Sequence, residues 1–291
     1  MPKRKSKSKS ITISVINNKG GVGKTTSTAI LAELLSYLGK KTLLVDLDGQ
    51  SNLSMQFQNY TEDTDAVLQG AEEAAEKNIA ELFRQRMRTR EELEEIIRPT
   101  PLRNVHIIPS SNRHKKTQNN LLLNQTGNNN IILKKALETI KEGYDYILID
   151  NAPASDVLTV NSMFASDYIL IPVRLEKYSY KGLTETLSDI SYIKEEHGIE
   201  NPSLLGVFIT QAEPNTRIYK KSNEKYTEEL EDKFFRTSIR KDINIANMEE
   251  ELQPILSLTP NCNAVFDYAE LLLETGILDE KSREILKNTI N

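Results

Sequence analysis

The sequence is poor in the features that mark several classes of protein. Its 291 residues contain one cysteine, Cys262, which excludes an intramolecular disulfide and a metal site built from cysteines alone, and fits a reducing compartment. No apolar run approaches the length of a membrane-spanning helix, and the first ten residues lack the apolar stretch of a secretory signal. These absences predict a soluble intracellular chain. Positive charge is in deficit too: 37 Lys and Arg stand against 42 Asp and Glu, a formal net charge of −5. Any nucleic-acid binding then requires a local patch rather than a globally basic surface. Lys3, Arg4, Lys5, Lys7 and Lys9, with no acid among them, read as a flexible basic arm over residues 1–10. The remainder, 11–291, is long enough for one large α/β domain.

What is present is concentrated in Ile11–Thr26, ITISVINNKGGVGKTT. A β-rich apolar run enters a glycine-rich turn that ends in Lys-Thr-Thr and opens a helical pattern, the context of a phosphate-binding P-loop. Gly20, Gly21 and Gly23 permit backbone torsions that turn N–H groups around phosphate oxygens, with Val22 as a spacer. Lys24 can reach the β and γ phosphates, Thr25 can place its hydroxyl on Mg²⁺, and Thr26 is placed to add a phosphate hydrogen bond. The plain motif wants glycine where Asn18 stands, so the match is to a variant, KGGVGKTT. ATP and Mg²⁺ are the cofactors it predicts.

Downstream, Ile30, Leu31, Leu34, Leu35 and Leu38 space out a helix with one buried stripe, ended by Gly39. Thr42 to Leu47 is a strand, with Asp46, Asp48 and Gln50 at its carboxyl end, where ligands collect in open α/β sheets. Residues 60–77 are acidic and alanine-rich, with no strand pattern. Helices closed by Pro99 and Pro101 precede a strand at Val105–Ile108. Residues 111–130, rich in Asn and Gln, predict a loop leading into a helix over Ile131–Ile140. Tyr144–Asp150, YDYILID, is an apolar strand ending in a carboxylate, so Asp150 is a candidate Mg²⁺ holder. Further strands at Tyr168–Val173 and Leu204–Thr210 flank a helix starting near Tyr180. The alternation predicts an α/β fold with a doubly wound, mostly parallel sheet flanked by helices.

A basic stripe lies between Arg217 and Lys241. Arg217, Lys221 and Lys225 recur at four-residue spacing with Lys220 alongside, while Tyr219, Tyr226 and Leu230 face elsewhere; Arg240 and Lys241 follow. A DNA-binding face and a solvated face among interleaved acids both fit this pattern.

KGGVGKTT, with Lys19 as a second cation at the loop's start, resembles the deviant Walker A signature of the ParA and MinD class of P-loop NTPases. DLDGQSNLS is similar to the ParA segment DxDPQ-x-N with Gly49 for proline, and DNAPAS is similar to Asp-x-x-Pro with Pro153 matching. TSIRKDINIANMEEELQPIL parallels the ParA C-terminal stretch, with Asn244 where an arginine is common. The resemblance spans about Ile11 to Glu274, interrupted by residues 60–77, which look like an insertion relative to shorter ParA proteins. It implies that Lys19 reaches the ATP of a dimer partner and that Asp48 orients the attacking water, so the catalytic set is Lys19, Lys24 and Asp48. It further implies an ATP-dependent homodimer that binds DNA nonspecifically, hydrolyses ATP with a centromere-binding partner of the ParB type, and segregates plasmid or chromosomal DNA, cytoplasmic and nucleoid-associated. IPVRLEKYSYKGL resembles the strand and loop near the dimer face, with Glu176 and Lys181 as candidate contacts.

Three alternatives share the scaffold. A membrane-surface ATPase of the MinD kind needs a membrane-seeking terminal helix, whereas Ile277, Leu278, Ile285, Leu286 and Ile290 among charges read as a packed one. An iron–sulfur carrier is excluded because one cysteine per chain cannot supply a bridging four-cysteine cluster. A binder that uses ATP only as a dimer switch stays open.

Overall fold

The computed structural model describes residues 10–57, 77–87, 89–110, 128–176 and 179–290. Nearly all of the expected basic arm, the 60–77 insertion and the 111–130 loop lie outside the described residues. The elements run β1 (Ile11–Val15), α1 (Lys24–Tyr37), β2 (Thr42–Asp46), α2 (Asn52–Gln56), α3 (Ile79–Gln85), α4 (Arg90–Glu94), β3 (Arg98–Pro99) and β4 (Val105–Ile108). They continue with α5 (Ile132–Glu138), β5 (Tyr146–Asp150), α6 (Val157–Ala165), β6 (Tyr168–Arg174), α7 (Ser179–His197), β7 (Ser203–Thr210) and α8 (Arg217–Leu230). The last four are α9 (Ile243–Glu251), α10 (Ile255–Leu258), α11 (Asn263–Glu274) and α12 (Glu280–Ile290).

The strands form a seven-stranded sheet ordered β3-β4-β2-β5-β1-β6-β7. Every pairing is parallel except that of β3 with β4. Side chains alternate across the sheet, and both faces are covered. Leu43, Val45, Ile147, Ile149, Ile169, Ile171, Val207 and Ile209 pack on one face, Leu44, Leu148, Leu170 and Phe208 on the other. This two-sided burial is why the strands read as continuous apolar runs rather than as alternating ones. At about 1.5–3 kcal/mol per fully buried aliphatic side chain, the facing rows fix the register and hence the positions of the strand ends.

Helix α1 packs on the second face with α11 and α12, through Ile30, Leu34, Tyr268, Leu272 and Leu286. The terminal helix docks through Leu286, with Leu278 buried just before it, while Ile285, expected to pack, is exposed. Among the described residues no helix is long and apolar enough to cross a membrane. The prolines act differently from the sequence expectation. Helix α4, opened by a Thr89–Glu92 capping box, ends at Glu94, five residues before Pro99. Pro99 instead belongs to the antiparallel edge strand β3, where a missing N–H is tolerated.

Helix α1 also carries a buried acid. Glu33 is 1% exposed; its Oε2 accepts from the Leu256 N–H at 3.1 Å, and its Oε1 has no partner. Burial pushes its carboxyl up to about 7, against hydrogen bonds from the Leu256 and Ile255 backbone that pull it down. An acid raised in the fold binds its proton more tightly there than in the unfolded chain. Its contribution to stability is therefore full at low pH and lost as pH rises from about 4.5 to about 7. Glu33→Gln should remove that slope, so that the variant gains about 3 kcal/mol relative to the parent between pH 4.5 and pH 8. Urea midpoints at the two pH values check it; parallel shifts in the two proteins would refute the assignment.

Candidate active site

The carboxyl ends of β1, β2, β5 and β7 meet at one rim of the sheet. The loop after β1 is shaped by Gly21 at φ 71° and Gly23 at φ 83°, left-handed conformations that favour glycine. It is braced from outside. The buried Asn17 side chain accepts from Lys19 N at 2.9 Å and donates to the Pro172 carbonyl at 2.8 Å. Ser27 Oγ donates to the Gly23 carbonyl at 2.6 Å and meets Tyr268 OH at 2.8 Å. Val22 does more than space the glycines: it is buried, and its carbonyl accepts from Thr210 Oγ1 at the end of β7, at 2.9 Å. The loop is thereby tied to β6 and β7 on one side of β1 and to α11.

Asp46 and Asp150 end β2 and β5 and are register partners. Thr25 Oγ1 donates to Asp150 Oδ2 at 2.7 Å, which brings the two predicted metal residues together. Asp150 Oδ1 is buried without a hydrogen-bond partner. Burial, then the Asp46 charge, raises the Asp150 carboxyl well above the usual range, opposed by the Thr25 hydrogen bond and by Lys24. A buried carboxylate oxygen with a lone pair to spare, beside a threonine hydroxyl, fits a hard divalent cation held partly through water. Lys24 is buried as well. Burial lowers its ammonium and the Asp150 and Asp48 charges raise it, while its Nζ donates to the Lys19 carbonyl at 3.2 Å.

Asp46 has a role the sequence did not single out. Its Oδ1 accepts from Asp48 N at 3.0 Å, and its Oδ2 from Ser54 N at 2.9 Å and Ser54 Oγ at 2.6 Å. Burial pushes it up to about 7, against the hydrogen bonds from Ser54 and Asp48. Asp46 thus orients the turn that presents Asp48, whose Oδ1 accepts from Gln50 N at 2.9 Å and whose carbonyl accepts from Ser110 Oγ at 2.7 Å. Ser110 follows β4 and Thr210 ends β7. Position at strand carboxyl ends was the available signal for both.

Gly20, Gly21, Gly23, Lys24, Thr25 and Thr26 line a cavity of about 470 Å³ together with Asp48, Gln50, Pro153 and, from α9, Met248 and Glu249. Lys19 lies beside it at the surface, its Nζ 2.5 Å from Glu176 Oε2, while Arg174 Nε is 3.3 Å from the other Glu176 oxygen. Lys181 instead pairs along its own helix with Glu185 at 3.6 Å.

The basic candidates divide. Arg217, Lys220 and Lys221 are exposed on α8, and Tyr226 is buried on its opposite side. Lys225 Nζ sits 3.2 Å above the Tyr180 ring and 3.8 Å from Glu229. Arg240 is clamped by the buried Asp267, with Nη2 2.6 Å from Oδ1 and Nε 3.0 Å from Oδ2. This fork ties β7's flank to α11, so Arg240 serves the fold whatever else it contacts. Lys241 is 3.7 Å from Glu213 and mostly exposed.

A family model described as an AAA domain matches residues 10–205. The chain is 32% identical over 271 residues to a ParA family protein of Chlamydia trachomatis, covering 90% of this chain and 96% of that protein. It is 30% identical over 264 residues to the chromosome-partitioning ATPase Soj of Treponema pallidum, covering 90% and 96%. A Borrelia burgdorferi protein solved with AMPPNP bound is 25% identical and superposes with a TM-score of 0.70 over 92% of this chain and 98% of that one. With the glycine loop, Thr25–Asp150 and Asp48 on the rim of a doubly wound sheet, these likenesses identify the chain as a member of the ParA family of partition ATPases.

Proposed function

We propose that the chain is an Mg²⁺- and ATP-dependent, dimerising partition ATPase that binds DNA nonspecifically and releases it on hydrolysis stimulated by a centromere-binding partner. The observation that carries the nucleotide assignment is the contact of Thr25 with Asp150 beside an unpartnered buried Asp150 oxygen. The nucleotide analogue bound to the Borrelia protein supports it. Residues Gly20 to Thr26 cradle the phosphates, Lys24 neutralises their charge, and Thr25 with Asp150 would hold the cation. The cation supplies charge neutralisation on the phosphoryl oxygens. Asp48, held by Gln50 N and by the Asp46-anchored turn, orients water for in-line attack. Lys19 adds a cation to the partner's site once its pair with Glu176 opens. Lys19, Glu176 and Arg174 therefore form the exposed group through which dimerisation acts. Arg217, Lys220 and Lys221 are the exposed side chains for phosphate contacts; Lys241, mostly exposed, would join them by exchanging its pair with Glu213, whereas Lys225 and Arg240 are engaged within the fold by Tyr180 and Asp267. The protein so read works in the cytoplasm on the nucleoid.

The test is binding to nonspecific duplex DNA with ADP, ATP or a slowly hydrolysed ATP analogue, for the parent and for Lys19→Ala. Binding should require triphosphate and be lost in Lys19→Ala. It should also weaken with salt by about 0.9 in log–log slope per phosphate contacted. Absence of DNA binding under every nucleotide, with binding to anionic liposomes in its place, would replace partition with a membrane-surface role.

A further inference from the structure

One contact across the cavity is not used by the chemistry above. Thr26 Oγ1 donates to Glu249 Oε1 at 2.5 Å, linking two residues 223 apart in sequence. Thr26 belongs to the phosphate loop, and Glu249 lies on the last turn of α9, whose Met248, Glu249 and Leu252 form the wall facing that loop. Helix α9 is anchored elsewhere. Asp242 caps its start, accepting from Asn244 N at 2.9 Å and from Ala264 N at 3.0 Å. Its end is held through Gln56 Nε2, which donates to the Met248 carbonyl at 3.3 Å and the Gln253 carbonyl at 3.1 Å. There the chain turns through Leu252 at φ 50°, a left-handed conformation uncommon for residues other than glycine.

A carboxylate on the hydroxyl that a phosphate oxygen would use cannot share it with that phosphate. Both are anions competing for one donor, and at a few ångströms they repel. We propose that Glu249 is a displaceable latch: it holds the α9 wall against the phosphate loop through Thr26, and an incoming nucleotide phosphate must dislodge it. The latch rests on the triphosphate reading of the same cavity. Its consequence is that nucleotide loosens the end of α9. That helix begins directly after Arg240 and Lys241, whose backbone is joined to the end of β7 by the Lys241 N to Ala212 carbonyl bond of 3.1 Å. Occupancy of the loop would thereby be communicated to the basic turn, and by linkage anything that frees α9 would tighten nucleotide binding.

The experiment is a titration of Mg²⁺·ATP, and of its slowly hydrolysed analogue, into the full chain and the variants Glu249→Gln, Glu249→Ala and Glu250→Gln. Glu249 is exposed, so folding should be retained, and thermal unfolding of each variant verifies this. Glu249→Gln keeps an acceptor for Thr26 but loses the charge; it should bind about fivefold to tenfold more tightly than the parent, and Glu249→Ala at least as tightly. Glu250→Gln, which removes the same charge one residue away, should stay within about twofold. Parent-like or weaker binding by both Glu249 variants, in a parent that binds nucleotide, overturns the latch alone. An equal gain in Glu250→Gln overturns it in favour of general surface charge. A parent that binds no nucleotide overturns the triphosphate reading and the latch with it.

Discussion

Asp48→Asn is expected to bind Mg²⁺·ATP within about threefold of the parent while single-turnover hydrolysis falls by about a hundredfold or more. The split follows from what each atom of Asp48 does. Its Oδ1 accepts from Gln50 N and its carbonyl accepts from Ser110 Oγ. An asparagine keeps the carbonyl and one side-chain acceptor, so the turn that Asp46 anchors should survive and the cavity wall with it. What the amide lacks is the negative charge and the second carboxylate oxygen, the features that orient and polarise a water. Binding by fluorescent-nucleotide titration and chemistry by rapid quench separate the two quantities. If both fall together, Asp48 is a structural clamp for the cavity. If neither falls, the water is oriented by another group, and Gln50, on the same wall, is the one to substitute next.

How much of this was legible in the sequence depends on the range over which each contact acts. The loop, its lysine and the carboxylate ending β5 are local patterns: glycines before Lys24, an apolar run before Asp150. Because a parallel sheet aligns strand ends, the meeting of Thr25 with Asp150 followed from placing both patterns at carboxyl ends. The strands from β1 to β7 were legible for the same reason, except β3. That strand has two residues and includes a proline, and only its pairing with β4 makes it a strand. Contacts that depend on how one helix is placed against a distant segment left no trace. Asp267 beneath Arg240, Tyr268 behind Ser27 and Glu249 on Thr26 are single side chains on helices whose mutual placement the periodicity of each helix does not encode. Arg240 shows the consequence: as a sequence position it is one more cation in a basic run, and in the fold it is half of a fork to a buried acid. Asp46 is an intermediate case. Its position at a strand end was visible, but its task of holding Ser54 and Asp48 required the turn to be seen.

The largest stability loss from a single small change is expected at Gly206. This residue sits inside β7 where the pairing with β6 slips: Ile169 faces Leu204, yet Leu170 faces Gly206, leaving Leu205 unpaired. A glycine inside a strand commonly marks a bulge or a close approach, and here both occur. A Cβ built on Gly206 would lie 2.5 Å from two atoms of the Phe235 ring. Phe235 is itself buried, 6% exposed, and its backbone is held by the N–H bond to the Val207 carbonyl at 2.9 Å, so the ring can make room only by shifting among buried neighbours. Gly206→Ala should cost about 1–3 kcal/mol through overpacking, and Gly206→Val more than that. Gly182, on α7, is the control: a Cβ there meets nothing within 4 Å, and Gly182→Ala in a helix should stabilise by roughly 0.5–1 kcal/mol. Thermal unfolding should therefore move in opposite directions for two substitutions of the same kind, and a Gly206→Ala protein as stable as the parent would show that Phe235 repacks without penalty. The effect should also reach the site. Thr210, four residues along the same strand, donates to the Val22 carbonyl and would meet a Cβ on Gly23 at 3.6 Å. Displacing β7 from Phe235 shifts the strand against which the phosphate loop is seated. Gly206→Ala protein that remains folded at low temperature should for this reason bind nucleotide more weakly than the parent, although residue 206 is not among those that line the cavity.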